Sequence, residues 1–130
     1  MSTQNIHHLG LAVADLPSTT GFFTEVLGFK VVRELPDYPA RFISNGHAFL
    51  TLWQTEPEAL AFNRRSQVGL HHFALTVGTE AELRSLFARA SDYPGVVVDF
   101  APEPLGDSGA IHSMLFEPGG IRLELVWSGS

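Results

Sequence analysis

The sequence predicts an α+β chain made of two copies of one β-α-β-β-β unit. His8-Leu9-Gly10-Leu11-Ala12-Val13 near the start is echoed by His72-Phe73-Ala74-Leu75-Thr76-Val77. The end of each half is echoed too: Gly46 to Trp53 contains Leu50-Thr51-Leu52, and Gly120 to Trp127 contains Leu123-Glu124-Leu125. Between the two echoes, each half carries one helix signal followed by short alternating apolar runs.

The elements follow in order. Ile6 to Val13 reads as a strand, with Leu9, Leu11 and Val13 alternating onto one face. Asp15 is placed to cap the next helix, and Pro17 suits a first helical turn because its missing N–H would be unpaired there. Phe22 with Val26 and Phe23 with Leu27 are helical i,i+4 pairs, and Gly28 is placed to end the helix. Phe29 to Leu35, Ala40 to Ser44 and His47 to Gln54 read as three strands, separated by Pro36-Asp37-Tyr38-Pro39 and the tight-turn pair Asn45-Gly46. Thr55 to Val68 is polar and reads as a connector. Leu70 to Val77 then restarts the pattern, and Thr79 with Glu82 forms a capping box before a helix carrying Leu83, Leu86 and Phe87. Val96 to Phe100, Ala110 to Phe116 and Ile121 to Trp127 are the last three strands, with Pro118-Gly119-Gly120 as the final turn. This predicts one domain over residues 1–130, with module one at about 5–54, a connector at 55–68 and module two at about 69–128. The repeat is inexact. Thr51 and Glu124 are further apart than the two histidines, so the second half has extra residues, expected around Glu103 to Gly109.

Composition bounds what this domain can do. Its 130 residues suffice for a real core, and 45% hydrophobic with 17% charged residues describes a globular chain. A net charge of −6, from 8 Lys+Arg against 14 Asp+Glu, argues against nucleic acid or an anionic membrane surface as a partner. No apolar run approaches the ~20 residues that cross a bilayer. The opening residues Met1 to Asn5 are polar without a leader pattern, so a cytoplasmic protein is expected. Cysteine is absent, so any metal would be held by nitrogen and oxygen donors.

Strand alternation puts His8 on a face with Gly10 and Ala12, and His72 on a face with Ala74 and Thr76. Glu124 lies opposite the apolar set Leu123, Leu125 and Trp127, alongside Arg122 and Val126. Two imidazoles and one carboxylate at corresponding positions of a duplicated unit point to three ligands, His8, His72 and Glu124, for one metal ion. The same parity groups His47, Phe49, Thr51 and Trp53 in one strand and His112, Met114 and Phe116 in another. Sheets curled around a common hollow would give it polar ligands at the floor and aromatic or thioether walls, as in a small-molecule site.

These residues resemble the vicinal oxygen chelate superfamily, which contains glyoxalases, extradiol dioxygenases, methylmalonyl-CoA epimerases, fosfomycin-resistance thiol transferases and bleomycin-binding proteins. The carriers are Ile6 to Leu16 leading to Phe22-Phe23 and Val26-Leu27-Gly28, then Gly69 to Leu75, then Glu117 to Glu124. The resemblance implies two paired βαβββ modules in a half-open eight-stranded barrel around a cleft that holds one divalent ion (Fe, Ni, Zn or Mn). The family's four ligand positions correspond here to His8, Thr51, His72 and Glu124. Thr51 departs from the pattern, since glyoxalases typically place a glutamate there and a hydroxyl is a poor substitute. The remaining two imidazoles and one carboxylate suit non-haem Fe(II) as well as Mn²⁺, Ni²⁺ or Zn²⁺. Extradiol dioxygenases share that set but carry a tyrosine ten residues before the glutamate, where Met114 stands here. Fosfomycin-resistance transferases share it too, but their phosphonate-holding strand has other residues than His112 and Met114.

The resemblance implies a metal-dependent enzyme acting on a small substrate that chelates the ion through adjacent oxygens, with glyoxalase-like lyase or isomerase chemistry as the expectation. The alternatives are an Fe(II) ring-cleaving or other dioxygenase, and a metal-free protein that sequesters an aromatic drug in the manner of bleomycin resistance. A homodimer is expected, because family members pair. Glu124 and His112 are the candidate catalytic groups, His112 having the parity to reach the cleft. Phe49, Thr51, Trp53, Met114, Phe116 and Arg122 are the candidate substrate contacts. Core packing is the alternative for Phe49, Trp53, Met114 and Phe116, and a surface ion pair for Arg122. Alternation turns His7 and His71 away from the cleft, as packing or surface residues. His47 is expected at a hairpin edge, Arg64 and Arg65 in a solvated loop, and Glu117 and Pro118 in a turn.

Overall fold

The computed structural model describes residues 1–130. In chain order the elements are β1 (Leu9–Val13), α1 (Leu16–Glu25), β2 (Lys30–Leu35), β3 (Ala40–Ser44) and β4 (Phe49–Gln54), then β5 (Phe73–Thr76), α2 (Glu80–Asp92), β6 (Val97–Pro104), β7 (Ile111–Phe116) and β8 (Arg122–Trp127). This is the α+β class, with βαβββ occurring twice. The chain divides into two compact units, Met1–Ala59 and Leu60–Ser130, the boundary falling inside the segment read as a connector. No helix is long and apolar enough to cross a membrane.

In the first unit the strand order is β1-β4-β3-β2. β1 runs parallel to β4 with Gly10 opposite Thr51, and the other neighbours are antiparallel. Leu11, Val13, Ile43, Leu50 and Leu52 bury one side of this sheet with Phe22 and Phe23 of α1. The helix begins as the sequence predicts. Asp15 Oδ1 accepts from the Ser18 N–H at 3.1 Å, and Oδ2 accepts from its hydroxyl at 2.8 Å. Gln54 ties this start to β4, accepting from the Leu16 N–H at 2.8 Å and donating to the Ala14 carbonyl at 2.8 Å. Gly28 turns the chain with φ 75°, a left-handed conformation open to glycine, and the Phe29 N–H closes on the Phe23 carbonyl at 3.0 Å.

The second unit repeats the topology as β5-β8-β7-β6, with β5 parallel to β8 and Ala74 opposite Glu124. Thr79 accepts from the Glu82 N–H at 3.1 Å and opens α2. Leu83 and Ala90 of the helix are buried, as are Leu115, Leu123 and Leu125 of the sheet.

Five of the boundaries that differ from the sequence expectation have a clear local reason. The first strand of each unit begins at Leu9 or Phe73, not at Ile6 or Leu70, because the ladder partners start at Leu50 and Leu123. His8 and His72 therefore precede their strands. β4 begins at Phe49 and not at His47, because Asn45 Oδ1 takes the His47 and Ala48 N–H groups at 2.9 and 2.7 Å. Glu117 does the same for β8, accepting from Gly119 N–H at 2.9 Å and Ile121 N–H at 2.8 Å. β6 runs on to Pro104, past the expected end at Phe100. Pro102 is tolerated because β6 is an edge strand, and register shifts follow Val98 and Phe100. The extra residues of module two lie in this longer strand and the loop after it.

Candidate metal centre

Glu124 sits mid-strand in β8, flanked by Ala74 of β5 and Met114 of β7. Both carboxylate oxygens meet a histidine. His112, opposite Val126 on β7, is diagonal to Glu124, and its Nδ1 lies 2.5 Å from Glu124 Oε2. The edge of its ring packs on Phe100 at 4.9 Å, which fixes its orientation. His72 Nε2 lies 3.3 Å from Glu124 Oε1. The Glu124 and His112 side chains are 12% and 13% exposed, so this contact is sheltered, whereas His72 at 33% opens to solvent.

His72 is itself held from behind. Its Nδ1 is 2.7 Å from His71 Nδ1, and Arg122 Nη1 is 3.3 Å from the same His71 nitrogen. Arg122 Nε and Nη2 both donate to Asp99 Oδ2, at 3.1 and 2.8 Å. Arg64 approaches Asp99 at 4.0 Å, and its guanidinium lies 5.9 Å from the centre of the Phe116 ring. Desolvation, then the positive charges of Arg122, His72 and Arg64, push the His71 imidazole below its ordinary pKa.

The corresponding place in the first unit is built differently. His8 Nδ1 lies 2.8 Å from His7 Nδ1, and Phe49 packs near both rings at 6.3 and 6.1 Å. Thr51, where Glu124 has its counterpart, is buried and accepts from the Trp53 indole N–H at 3.0 Å. A Cβ added at Gly10 would stand 3.2 Å from Thr51 Oγ1, so only a very small residue sits easily opposite. Phe49, Phe42, Trp53 and Tyr38 form a run of aromatic contacts at 6.2, 5.8 and 4.9 Å.

Within the second unit the structure thus brings His72, His112 and Glu124 together, and it places Arg122 behind His72 through His71. Arg122 takes the ion-pair alternative with Asp99. Met114 is buried at 4% and packs as core, while Phe116 meets Arg64. His71 is exposed, as expected, and its Nδ1 still meets His72 Nδ1 because both precede β5, where strand alternation does not govern them. One expectation is corrected. Arg64 is drawn to Asp99 and Phe116 and is not a freely solvated loop residue. Asp99, Phe42 and Tyr38 escaped the sequence reading. Phe42 alternates in step with the ligand face and was legible by parity, whereas Asp99 depends on a strand irregularity with no sequence signature.

Neither unit holds a ready cage of three or more His, Asp and Glu side chains. The donor chemistry nevertheless fits an ion. Two ligands each about 2.1 Å from one ion stand roughly 3.0–3.4 Å apart, for right-angled to tetrahedral geometry. The His72 Nε2 to Glu124 Oε1 separation of 3.3 Å lies in that window.

Comparison with known proteins gives the family and the fold. The catechol-2,3-dioxygenase of Bacillus subtilis (strain 168) is 27% identical over 122 residues, covering 91% of this chain. The chain spans only 40% of the length of that relative. The genomically encoded fosfomycin resistance protein FosX of Listeria monocytogenes, solved with Mn(II) and 1S,2S-dihydroxypropylphosphonic acid, superposes with a TM-score of 0.76 at 15% identity, covering 99% of this chain and 93% of that one. A lactoylglutathione lyase from Agrobacterium tumefaciens superposes with a TM-score of 0.70 at 19% identity, covering 97% and 96%. Both solved structures share the fold. The family described as "Glyoxalase/Bleomycin resistance protein/Dioxygenase superfamily" matches residues 5–125, nearly the whole chain, and the protein belongs to it.

Proposed function

We propose that the chain is a divalent-metal-dependent enzyme of the vicinal oxygen chelate type, with glyoxalase-like lyase or isomerase chemistry on a small organic substrate bearing adjacent oxygens. The observation that carries this reading is Glu124 between two imidazoles, His72 on Oε1 at 3.3 Å and His112 on Oε2 at 2.5 Å. The ligands assigned are His8, His72 and Glu124, and a homodimer in the cytoplasm belongs to the same proposal. When bound, the ion supplies Lewis-acid polarisation of the substrate oxygens.

The chain's own residues supply the rest. Glu124 is the base that takes a proton from the hydroxyl-bearing carbon beside the substrate carbonyl and returns it to the carbonyl carbon, while the hydroxyl proton passes to the adjacent former carbonyl oxygen. His112, fixed by Phe100, donates to Oε2 and holds the carboxylate in line for both transfers. Phe49, Thr51 and Trp53 offer an aromatic surface with one hydroxyl, and Phe116 offers a ring beside the Arg64 cation.

The test is elemental analysis of protein purified without added metal, followed by hemithioacetal turnover. His72→Ala and Glu124→Ala should each lose both metal and turnover. A variant that keeps small-molecule binding without ever having held metal would point to sequestration. The similarity to catechol-2,3-dioxygenase supports a second reading, an Fe(II)-dependent oxygenase, which oxygen uptake on loading with Fe(II) separates from the first. Met114 in place of the dioxygenase tyrosine ranks that reading second.

A further inference from the structure

The two modules differ at two matched positions, and in module two both differences bear on its histidine pair. Gly10 opposite Thr51 and Ala74 opposite Glu124 make Phe49 and Arg122 equivalent, each two residues before the strand's central polar residue. The register shifts match as well. Val32 is the extra residue between the Val31–Ile43 and Arg33–Phe42 pairs, and Asp99 is the extra residue between Val98–Leu115 and Phe100–Met114. Such a bulge leaves its residue outside the ladder and re-aims the side chain. In module one this pair of positions holds a valine and a phenylalanine. In module two it holds an acid and a base that bind each other, with Arg122 Nη1 left over at 3.3 Å from His71 Nδ1.

A guanidinium has only donors, so this contact makes His71 Nδ1 an acceptor. The hydrogen in the 2.7 Å contact between His71 Nδ1 and His72 Nδ1 must then come from His72. In the neutral form that metal binding requires, an imidazole carries one N–H, and placing it on Nδ1 leaves the His72 Nε2 lone pair for an ion shared with Glu124 Oε1. We infer that the Asp99–Arg122 pair is a positioning device that, through His71, fixes the His72 tautomer in which Nε2 is free to bind metal. Asp99 occupies Nε and Nη2 and so directs Nη1 at His71. Module one lacks the device: with Phe49 in place of the guanidinium, the His7–His8 contact of 2.8 Å has no donor to set its direction. This inference rests on the reading of His72 and Glu124 as metal ligands.

The test uses the full chain without metal, labelled with ¹⁵N, and reads imidazole protonation from long-range ¹H–¹⁵N spectra. His72 should carry its proton on Nδ1. The double variant Asp99→Val with Arg122→Phe transplants module one's own residues, which the same scaffold position already accommodates. In it the Nε2–H form should appear, and Zn²⁺ affinity measured by calorimetry should fall about ten- to a hundredfold. Arg122→Lys, which keeps a donor, should fall between. A wild-type His72 protonated on Nε2 overturns the inference, and so does a folded double variant with unchanged tautomer and affinity. If circular dichroism shows the double variant unfolded, the wild-type tautomer decides alone. Wild-type protein that binds no Zn²⁺ defeats the metal reading instead, whatever the tautomer.

Discussion

His112 reaches Glu124 diagonally across the β7–β8 ladder, Nδ1 to Oε2 at 2.5 Å, two residues along β8 from its own partner Val126. Diagonal neighbours on one face of a sheet lie within reach of an imidazole, and here both side chains are largely sheltered. The histidine therefore does more than share a surface with the acid: it fixes which oxygen remains free toward His72. Replacing it by Asn, which keeps a hydrogen-bond donor but cannot shuttle a proton, should lower kcat by about 10²–10⁴-fold if the pair moves protons. Metal affinity should change much less. Equal losses in both, measured by steady-state kinetics and calorimetry, would make His112 a structural prop only.

The duplicated architecture was legible because it is written in alternation and in turn residues, which act locally. Ala40–Ser44 and the alternation of Leu9, Leu11 and Val13 follow from the apolar pattern, and Asp15 and Thr79 from capping chemistry. Parity put His112 on the cleft face, though not in contact with Glu124. What stayed hidden depends on pairings between distant segments. Asp99 matters only because β6 slips register against β7, and His71 joins His72 only because β5 starts after both. Neither fact can be read from one segment alone.

Glu117 sets where β8 starts and so where Glu124 lands. It is 1% exposed, and its two oxygens take the N–H groups of Gly119 and Ile121. Glu117→Ala would orphan both donors in a buried turn, at about 1–3 kcal/mol each. Urea denaturation should show a loss on the order of 2–6 kcal/mol. Metal affinity should fall with it, because the strand register loosens. Wild-type stability in this variant would mean that the turn is set by Pro118 and the glycines and not by the carboxylate.

Asp15 offers a pH-dependent test confined to stability. Hydrogen bonds from the Ser18 N–H and then its hydroxyl hold the Asp15 carboxyl below its ordinary pKa, against a small opposing effect of burial. A depressed folded-state pKa means that this contribution is complete above the unfolded value of 3.8 and is lost as pH falls through the lower folded value. Asp15→Ala should cost about 1 kcal/mol near neutral pH, as for other helix caps. The difference from wild type should shrink toward zero in strong acid. A gap in Tm that persisted at the lowest accessible pH would show that the cap acts without its charge. Turnover at neutral pH should be unchanged, since α1 carries none of the assigned groups.

Ser113 is the opposite case, a polar group that the fold does not use. It lies on β7 opposite Leu125, on the buried side of the sheet with Leu115, and is 0% exposed. Its hydroxyl oxygen has no hydrogen-bond partner. Burying an unpaired hydroxyl costs about 1–3 kcal/mol by mutational measure, and deleting the oxygen to leave alanine's methyl removes that cost. Ser113→Ala should therefore leave stability unchanged or raise it by about 1 kcal/mol, because the lost volume is one oxygen and the cavity term is small. Since His112 and Met114 point to the other face, metal binding should be unaffected. A drop in Tm on this substitution, with the fold intact, would mean that the hydroxyl has a partner such as a buried water, and β7 would then be anchored through it.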